Sequence, residues 1–373
     1  MQKKAILLGC SMFAFLISPF SSFAQEQLRL STEYFENMHT GWRSSGRTIE
    51  IKNQGNSRHL TSKIDLEWQS RADYFWLNAT RAVVLAHGNE IIAERFSLPE
   101  GAIVGGNSMS KSVTALVVGQ AICDGSIDSI NDRADIYAPE LAGTSWGDAS
   151  IRELLMMSSG GYSTRLSMNG HPNVEMRSEM TLPIMGNRSK PFAEILPKYD
   201  VRFAQPGARF VYSNADTTAL GLVLKGATGV ETAELFGNVW EKVGAARSGS
   251  WLINSSGETV TYMGFAADPH DWIRLGLFLS ERRKMDDCLG RYIKDATSIQ
   301  IRYRTFNDHR DYGYQFWTNC GVSINAFCMV GALGQLVLIN EDHDLVLYVH
   351  SVSSRWGGIN HWSNLFYEVL RDL

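Results

Sequence analysis

A serine and a lysine stand three residues apart at the predicted start of a helix. Ser108 and Lys111 open the segment GGNSMSKSVTALVVGQ (105–120), whose later residues are mostly apolar. Serine favours the N-cap position, but a lysine in the first turn opposes the helix dipole. Residues three apart share one helix face, with Cβ atoms about 5–6 Å apart, so the lysine amine can reach the serine hydroxyl. A lysine held in apolar surroundings loses its proton more readily and can then activate the hydroxyl as a nucleophile.

A second kind of serine enzyme fits this segment less well. A nucleophile elbow has the pattern Gly-x-Ser-x-Gly, because its sharp turn needs small residues on both sides of the serine. Here Gly106 precedes Ser108, but Ser110 stands at the position of the second glycine. We therefore favour the Ser-x-x-Lys interpretation over the elbow.

Polar groups in a second segment could complete such a site. The segment QPGARFVYSNADTTALG (205–221) places Tyr212 and Asn214 just before another predicted helix. A phenol beside a cation can share or relay a proton, and an amide can orient the lysine or the substrate. We therefore predict that Tyr212 and Asn214 lie near Lys111.

Glycines interrupt an apolar strand late in the chain. In VGALGQLVLI (330–339), Gly331 and Gly334 lie inside what the pattern predicts to be one strand. Glycine inside a strand often marks the close approach of a ligand or of another backbone segment. A backbone N–H at this edge could pair with the Ser108 N–H to form an oxyanion hole.

Three motifs in this order resemble those of the serine beta-lactamase and penicillin-binding-protein-like superfamily. They are SMSK at 108–111, YSN at 212–214 and the glycine strand at 331–335. Within that superfamily the chain is most similar to class C-like serine hydrolases, which include carboxylesterases and 6-aminohexanoate-dimer hydrolases. The resemblance extends over roughly residues 70 to 370.

The resemblance implies a fold and a division of the chain. The fold is α/β, of the beta-lactamase/DD-peptidase-like type, with a mostly antiparallel sheet from both chain ends that is flanked by helices. A helical lobe at about 112–255 would lie beside it, with the site between. Residues 66–373 would form this hydrolase domain, and the polar stretch 25–65 would form an irregular extension packed over it.

The resemblance also implies a role for each matching residue. Ser108 matches the nucleophile that accepts the acyl group, and Lys111 matches its general-base partner. Tyr212 matches the phenol that passes the proton to the leaving group, and Asn214 matches the amide that contacts lysine and substrate. The backbone N–H groups of Ser108 and Gln335 match the oxyanion hole.

The chain departs from the family at one position that bears on the substrate. Lactamases and peptidases carry Lys or His, then Thr or Ser, then Gly, where this chain has Ala332-Leu333-Gly334. The groups that hold a substrate carboxylate are therefore missing, which favours uncharged esters or amides. Two alternatives stay open: a beta-lactamase or D-Ala-D-Ala carboxypeptidase, and an inactive penicillin-binding-like module that binds cell-wall peptides.

Composition and motifs limit the classes of molecule that the chain is expected to bind. The chain has 373 residues, 44% apolar and 20% charged, with a net charge of −4. A mildly acidic chain without a basic block argues against binding to nucleic acid. No HExxH motif and no Cys or His spacing typical of zinc is present, so neither a metal nor a cofactor is expected. The expected partner is a small ester or amide, and the oligomeric state is left open.

The first 24 residues have the pattern of an export signal. Lys3 and Lys4 precede an apolar stretch that extends to Phe20, and Ser22-Phe23-Ala24 fits a cleavage site. No other segment reaches the roughly 18 apolar residues of a membrane span. The mature chain is therefore expected in the periplasm or secreted, without membrane insertion.

Cysteines and aromatic residues gave further predictions. Cys320 and Cys328 bracket the short loop GVSINAF and are expected to form a disulfide in an oxidising compartment. Cys123 lies in the apolar helix that follows Ser108, so a free buried thiol is expected there. Tyr162 and Trp317 could reach the site, although a packing role is favoured for the first and equally plausible for the second.

Overall fold

The computed structural model describes most of the chain from Arg47 onward. The export signal, residues 25–46 and Tyr162 lie outside the described residues. The described residues are 47–53, 55–161, 176, 179–180, 187–303, 310–321, 325–352 and 359–373.

Strands come from both ends of the chain and from its middle. They are β1 (Arg47–Ile51), β2 (Thr61–Ser62), β3 (Thr80–His87), β4 (Glu90–Phe96), β5 (Val104–Gly105), β6 (Gly249–Ile253), β7 (Phe265–Ala267), β8 (Asp311–Tyr312), β9 (Trp317–Thr318), β10 (Phe327–Gly331), β11 (Gln335–Asn340) and β12 (Leu345–Ser351).

The larger sheet joins the two ends of the domain. Its eight strands follow the order β2-β4-β3-β12-β11-β10-β9-β8. Every neighbouring pair is antiparallel except β2 with β4, which is parallel. The C-terminal strand β12 pairs with β3 along its whole length, from Leu345 opposite His87 to Ser351 opposite Thr80. The predicted antiparallel sheet from both chain ends is confirmed.

A smaller sheet corrects the prediction of an irregular segment before residue 66. Its four strands follow the order β1-β6-β7-β5 and are all antiparallel. In β1 the isoleucines Ile49 and Ile51 alternate with polar residues, and Ile51 is buried. Alternation of this kind suits a strand with one buried face. Residues 47–51 are therefore part of a sheet.

Helices cover both faces of the larger sheet. One face packs against the helix Pro269–Arg283, and the other packs against the helices Leu66–Phe75 and Ile359–Asp372. In the part of the chain that the structure describes, no helix has the length and apolar character needed to cross a membrane. The helices are α1 (Leu66–Phe75), α2 (Met109–Cys123), α3 (Ser145–Asp148), α4 (Ile151–Leu155), α5 (Phe192–Lys198), α6 (Asn214–Thr228), α7 (Thr232–Val243), α8 (Pro269–Arg283), α9 (Cys288–Ala296) and α10 (Ile359–Asp372).

The helix that follows Ser108 lies at the centre of the molecule. In α2, every residue from Met109 to Gly119 is buried. The helix packs against α6, α7 and α9, so it must be compatible with the interior on all sides. This explains why its sequence shows little amphipathic pattern.

The predicted glycine strand over 327–340 is two strands and a turn. Strand β10 ends at Gly331, β11 begins at Gln335, and the two pair as an antiparallel hairpin. The backbone of Leu333 has φ 68° and that of Gly334 has φ 91°. Two successive residues with positive φ reverse the chain within a short turn, which an apolar pattern alone does not reveal.

Two disulfides link the described cysteines. Cys320 and Cys328 are joined across the β9–β10 connection, with Cα atoms 6.0 Å apart, which confirms that prediction. The prediction of a free thiol at Cys123 is wrong, because Cys123 is bonded to Cys288. The last residue of α2 meets the first residue of α9, and these residues are 165 positions apart in the chain. Only the packing of α2 on α9 brings them together.

Candidate active site

Ser108 is the one accessible position in a long buried stretch. From Val104 to Gly119 every other residue is buried, while Ser108 is half-buried. It occupies the N-cap position of α2 with φ −67° and ψ −5°, but its side chain makes no capping hydrogen bond. The hydroxyl is therefore presented at the positive end of a central helix, where a nucleophile can meet a substrate.

Lys111 lies directly behind this hydroxyl. Its side chain is 1% exposed, and Nζ donates to Ser108 Oγ at 3.2 Å and to the backbone oxygen of Tyr262 at 2.7 Å. The rings of Tyr212 and Tyr262 lie 5.2 and 5.7 Å from Nζ. The predicted contact between serine and lysine is thus present. The carbonyl of Tyr262 aims the amine at the hydroxyl.

Tyr212 is held beside the lysine by its two chain neighbours. Val211 N–H donates to Met157 O at 2.8 Å, and Ser213 N–H donates to Met157 Sδ at 3.3 Å. The Tyr212 ring stacks on Trp317, with centroids 5.8 Å apart and planes inclined by 15°. These contacts fix the direction of the phenol. Trp317 therefore packs against a site residue.

The YSN motif lies at the beginning of a helix. Asn214 is the first residue of α6 and is half-buried, and the Ser213 side chain caps that helix by accepting from Ala215 N–H at 3.2 Å. Helix α6 packs on α2, and the Tyr212 ring lies 5.2 Å from Nζ of Lys111, whereas the contact of Asn214 with lysine and substrate stays a prediction.

The β10–β11 turn abuts the backbone just before the nucleophile. A Cβ added to Gly331 would come within 2.2 Å of the Gly106 carbonyl oxygen, so only glycine fits there. Asn107 Nδ2 donates to Ala332 O at 2.9 Å and to Gln335 Oε1 at 3.0 Å. The close backbone approach inferred for this strand is present at Gly331.

The residues of the turn are at least partly exposed, while Gln335, which follows the turn, is buried. Gln335 is fully buried, and its Nε2 donates to Ser351 O at 2.6 Å. Ala332 is exposed, and Leu333 and Gly334 are half-buried. The side chain of Gln335 therefore anchors the turn, and the oxyanion role of its backbone N–H stays a prediction.

Sequence reasoning missed three residues that position the site. Asn107 has φ 48°, and its side chain donates a hydrogen bond to the β10–β11 turn. Met157 has φ 57° and accepts a hydrogen bond from Val211 N–H, next to Tyr212. The backbone oxygen of Tyr262 accepts a hydrogen bond from Lys111 Nζ. Positive φ at a residue other than glycine is uncommon, although asparagine tolerates it better than most. The asparagine directly before Ser108 was the one signal available.

A buried carboxyl group connects the start of α6 to neighbouring elements. Asp216 is 1% exposed and accepts from Trp146 Nε1 at 3.1 Å, from Ser159 Oγ at 2.8 Å and from Ser159 N–H at 3.3 Å. Burial raises the pKa of Asp216 from its ordinary 3.8 to about 7, and these hydrogen bonds offset only part of that effect. In the folded state the protonated form of Asp216 therefore predominates below a pH of about 7.

We expect this group to make folding stability depend on pH. A carboxyl pKa that is higher in the folded state stabilises the fold at low pH, and the contribution is lost as pH rises from about 4 through about 7. Relative to Asp216→Asn, the wild type should lose about 4 kcal/mol of unfolding free energy at most over this window. Urea unfolding at a series of pH values measures the difference.

Asp286→Asn is the matched control, because the Asp286 side chain is 93% exposed. This variant should keep the pH dependence of the wild type. A constant difference between wild type and Asp216→Asn from pH 4 to 8 would contradict the prediction.

The family model named Beta-lactamase matches residues 79–358. No curated protein matches the sequence significantly.

Solved structures are similar to the chain in fold. A candidate 6-aminohexanoate-dimer hydrolase from Bacillus anthracis aligns over 96% of this chain and 97% of its own, with TM-score 0.76 and 18% identity. A penicillin binding protein from Bacillus halodurans aligns over 82% and 100%, with TM-score 0.61 and 16% identity. A D-stereospecific amidohydrolase from Streptomyces sp. aligns over 78% and 95%, with TM-score 0.61 and 15% identity. At such identities the likeness concerns the fold alone.

Proposed function

Because the chain belongs to the beta-lactamase family, we propose that it is a serine hydrolase that cleaves uncharged esters or amides through an acyl-enzyme on Ser108. The observation that carries the proposal is the buried amine of Lys111, 3.2 Å from an accessible serine hydroxyl. Burial of a lysine side chain costs folding free energy, so a buried lysine beside an accessible hydroxyl indicates a functional role. Here its position matches the needs of a general base.

The first step transfers the serine proton and forms the acyl bond. For this step Lys111 must be neutral: Nζ keeps its hydrogen bond to Tyr262 O and turns its lone pair to the Ser108 hydroxyl, whose oxygen lies 3.2 Å away. As Oγ attacks the substrate carbonyl carbon, its proton passes to Nζ and the carbonyl oxygen becomes negative. Tyr212, beside Nζ, gives its phenol proton to the leaving group and takes a proton back from Nζ. The bond between the carbonyl carbon and the leaving group breaks as the carbonyl double bond forms again. Water releases the acyl group by the same steps in reverse order.

Backbone N–H groups would stabilise the negative oxygen. The N–H of Ser108 lies at the positive end of α2, which favours developing negative charge. The second donor would come from the turn at 332–335. Gln335 N–H is the donor that the family resemblance implies, and Ala332 N–H is the competing donor from the same turn.

The side chains of this turn indicate the substrate class. Ala332 and Leu333 supply neither a cation nor a hydroxyl, and a carboxylate buried without such partners is strongly disfavoured. We expect p-nitrophenyl butyrate to be hydrolysed with a kcat/KM about 100-fold or more above that of benzylpenicillin, since a missing charged partner costs about 3 kcal/mol or more. Steady-state kinetics on both compounds tests this expectation. If the protein hydrolyses benzylpenicillin faster than the ester, the beta-lactamase alternative replaces the esterase proposal.

A charged variant refines the same test. Ala332→Lys should raise the rate of acylation by benzylpenicillin, because it adds a cation at an exposed position of the turn. Ala142→Lys is the control, since Ala142 is also exposed but lies after the 3-10 turn Pro139–Leu141. Leu333→Thr would restore the hydroxyl that lactamases and peptidases carry at this position. It is not included in the test, because a β-branched residue is strained at the φ of 68° found there.

We further propose that the protein is exported to the periplasm or secreted. The pattern of residues 1–24 supports this, and so do the two disulfides among the described cysteines, because disulfides persist in oxidising compartments. The exported protein should begin at Gln25, which N-terminal sequencing would test. Recovery of the uncleaved chain in the cytoplasm alone would contradict export.

A further inference from the structure

Gln315 is a buried polar residue with no role in the steps above. It lies between β8 and β9, is 2% exposed, and is separated from Ser108 by more than 200 positions in the sequence. Its backbone has φ 60°. A residue other than glycine is strained in this region, and such strain persists only where the surroundings over-determine it.

Five hydrogen bonds hold Gln315, and they reach three different helices. Its N–H donates to Leu155 O at 3.0 Å, and its Nε2 donates to Leu154 O and Leu155 O, both at 3.0 Å. Its backbone oxygen accepts from Ser112 Oγ at 2.6 Å, and its Oε1 accepts from Thr217 Oγ1 at 2.8 Å. Both groups of the side-chain amide are therefore used.

Each of these helices carries or precedes a residue of the site. Ser112, on α2, directly follows Lys111. Thr217, on α6, stands five residues after Tyr212 in the sequence. Leu155 ends α4, and two residues later Met157 accepts the hydrogen bonds from both neighbours of Tyr212. Gln315 thus bonds directly to the helix of the base and to the helix that follows the phenol.

We propose that Gln315 is a positioning residue for acyl transfer, which sets the distance between the Ser108–Lys111 pair and the Tyr212 phenol. The inference rests on the proposed function. Gln315 is buried and its hydrogen bonds go to α2, α4 and α6, so it acts through these helices. The strand that follows Gln315 adds a second constraint, because Trp317, the first residue of β9, stacks on Tyr212.

This role predicts a particular kinetic signature. A shift of about 1 Å in a catalytic group can lower a rate about 100-fold. Since the substrate-binding surface itself is unchanged, binding should be affected much less than the chemical step. A residue that served only stability would instead lower the melting temperature and leave the kinetics of the folded fraction unchanged.

The experiment uses Gln315→Met, which keeps the length of the side chain and removes the oxygen and the nitrogen of its amide. With p-nitrophenyl butyrate, kcat should fall about 100-fold, while KM should stay within about twofold. Labelling of Ser108 by a fluorophosphonate, followed by intact mass, should slow in parallel. An unchanged kcat in the folded variant, or a loss confined to KM, would overturn the proposal.

A matched pair of smaller changes covers the case in which Gln315→Met does not fold. Ser112→Ala removes one buried hydroxyl that donates to Gln315 O. Ser280→Ala removes one buried hydroxyl of α8, which donates to Asp344 Oδ1 at 3.0 Å and not to Gln315. Only Ser112→Ala should lower kcat. Equal kinetics of the two variants would reject the role of Gln315. A wild type that is neither labelled nor active would instead reject the proposed function.

Discussion

Ser108→Ala is expected to abolish ester hydrolysis. Ser108 is the half-buried residue within an otherwise buried segment, and its hydroxyl contacts the Lys111 amine. Without the hydroxyl no acyl-enzyme can form, so kcat/KM for p-nitrophenyl butyrate should fall by at least about 10⁴-fold. Intact-mass analysis should show one fluorophosphonate adduct on the wild type and none on the variant.

Ser110→Ala is the matched control for this loss. Ser110 is fully buried, donates to Asn107 O at 2.8 Å and accepts from Phe265 N–H at 3.0 Å. Its hydroxyl is therefore structural, and the folded variant should still be labelled. Full turnover by Ser108→Ala would reject the whole enzymatic proposal. A wild type that binds peptidoglycan peptides without forming any adduct would support the inactive binding module.

Lys111→Met should cost about as much as Ser108→Ala. The two side chains act as one unit, and the loss of either member of such a unit removes most of the catalysis. The double variant should therefore be no less active than either single one. Methionine fills a similar volume in this buried position, so the variant is expected to fold, which thermal melting verifies. The rate of fluorophosphonate labelling reports the loss of serine activation directly.

Lys111→Arg tests whether Lys111 acts as a general base or only as a positive charge. Arginine keeps the positive charge but does not lose its proton in proteins, so this variant should be as inactive as Lys111→Met. Lys63→Met is the control, because that side chain is 69% exposed. Substantial activity in Lys111→Arg would show that the lysine acts only as a charge and would rule out its role as the base.

The sequence predicted individual contacts correctly where a local rule applied. Ser108 and Lys111 meet because helical periodicity places residues three apart on one face. Gly331 was identified because an interior glycine indicates a close approach of backbone, and the Gly106 carbonyl is the partner. The turn at 332–334 was missed, since the apolar pattern on both sides is continuous and the backbone reversal depends on two φ angles.

What the sequence by itself determined is the family, the antiparallel sheet from both chain ends, the contact of Ser108 with Lys111, and the Cys320–Cys328 bond. Each rests on ordered motifs or on residues close together in the chain. The tertiary structure alone decided the Cys123–Cys288 bond and the contacts of Gln315. These join residues about 100 or more positions apart, and such contacts depend on how whole helices and strands pack against one another. No local pattern of residues encodes that packing.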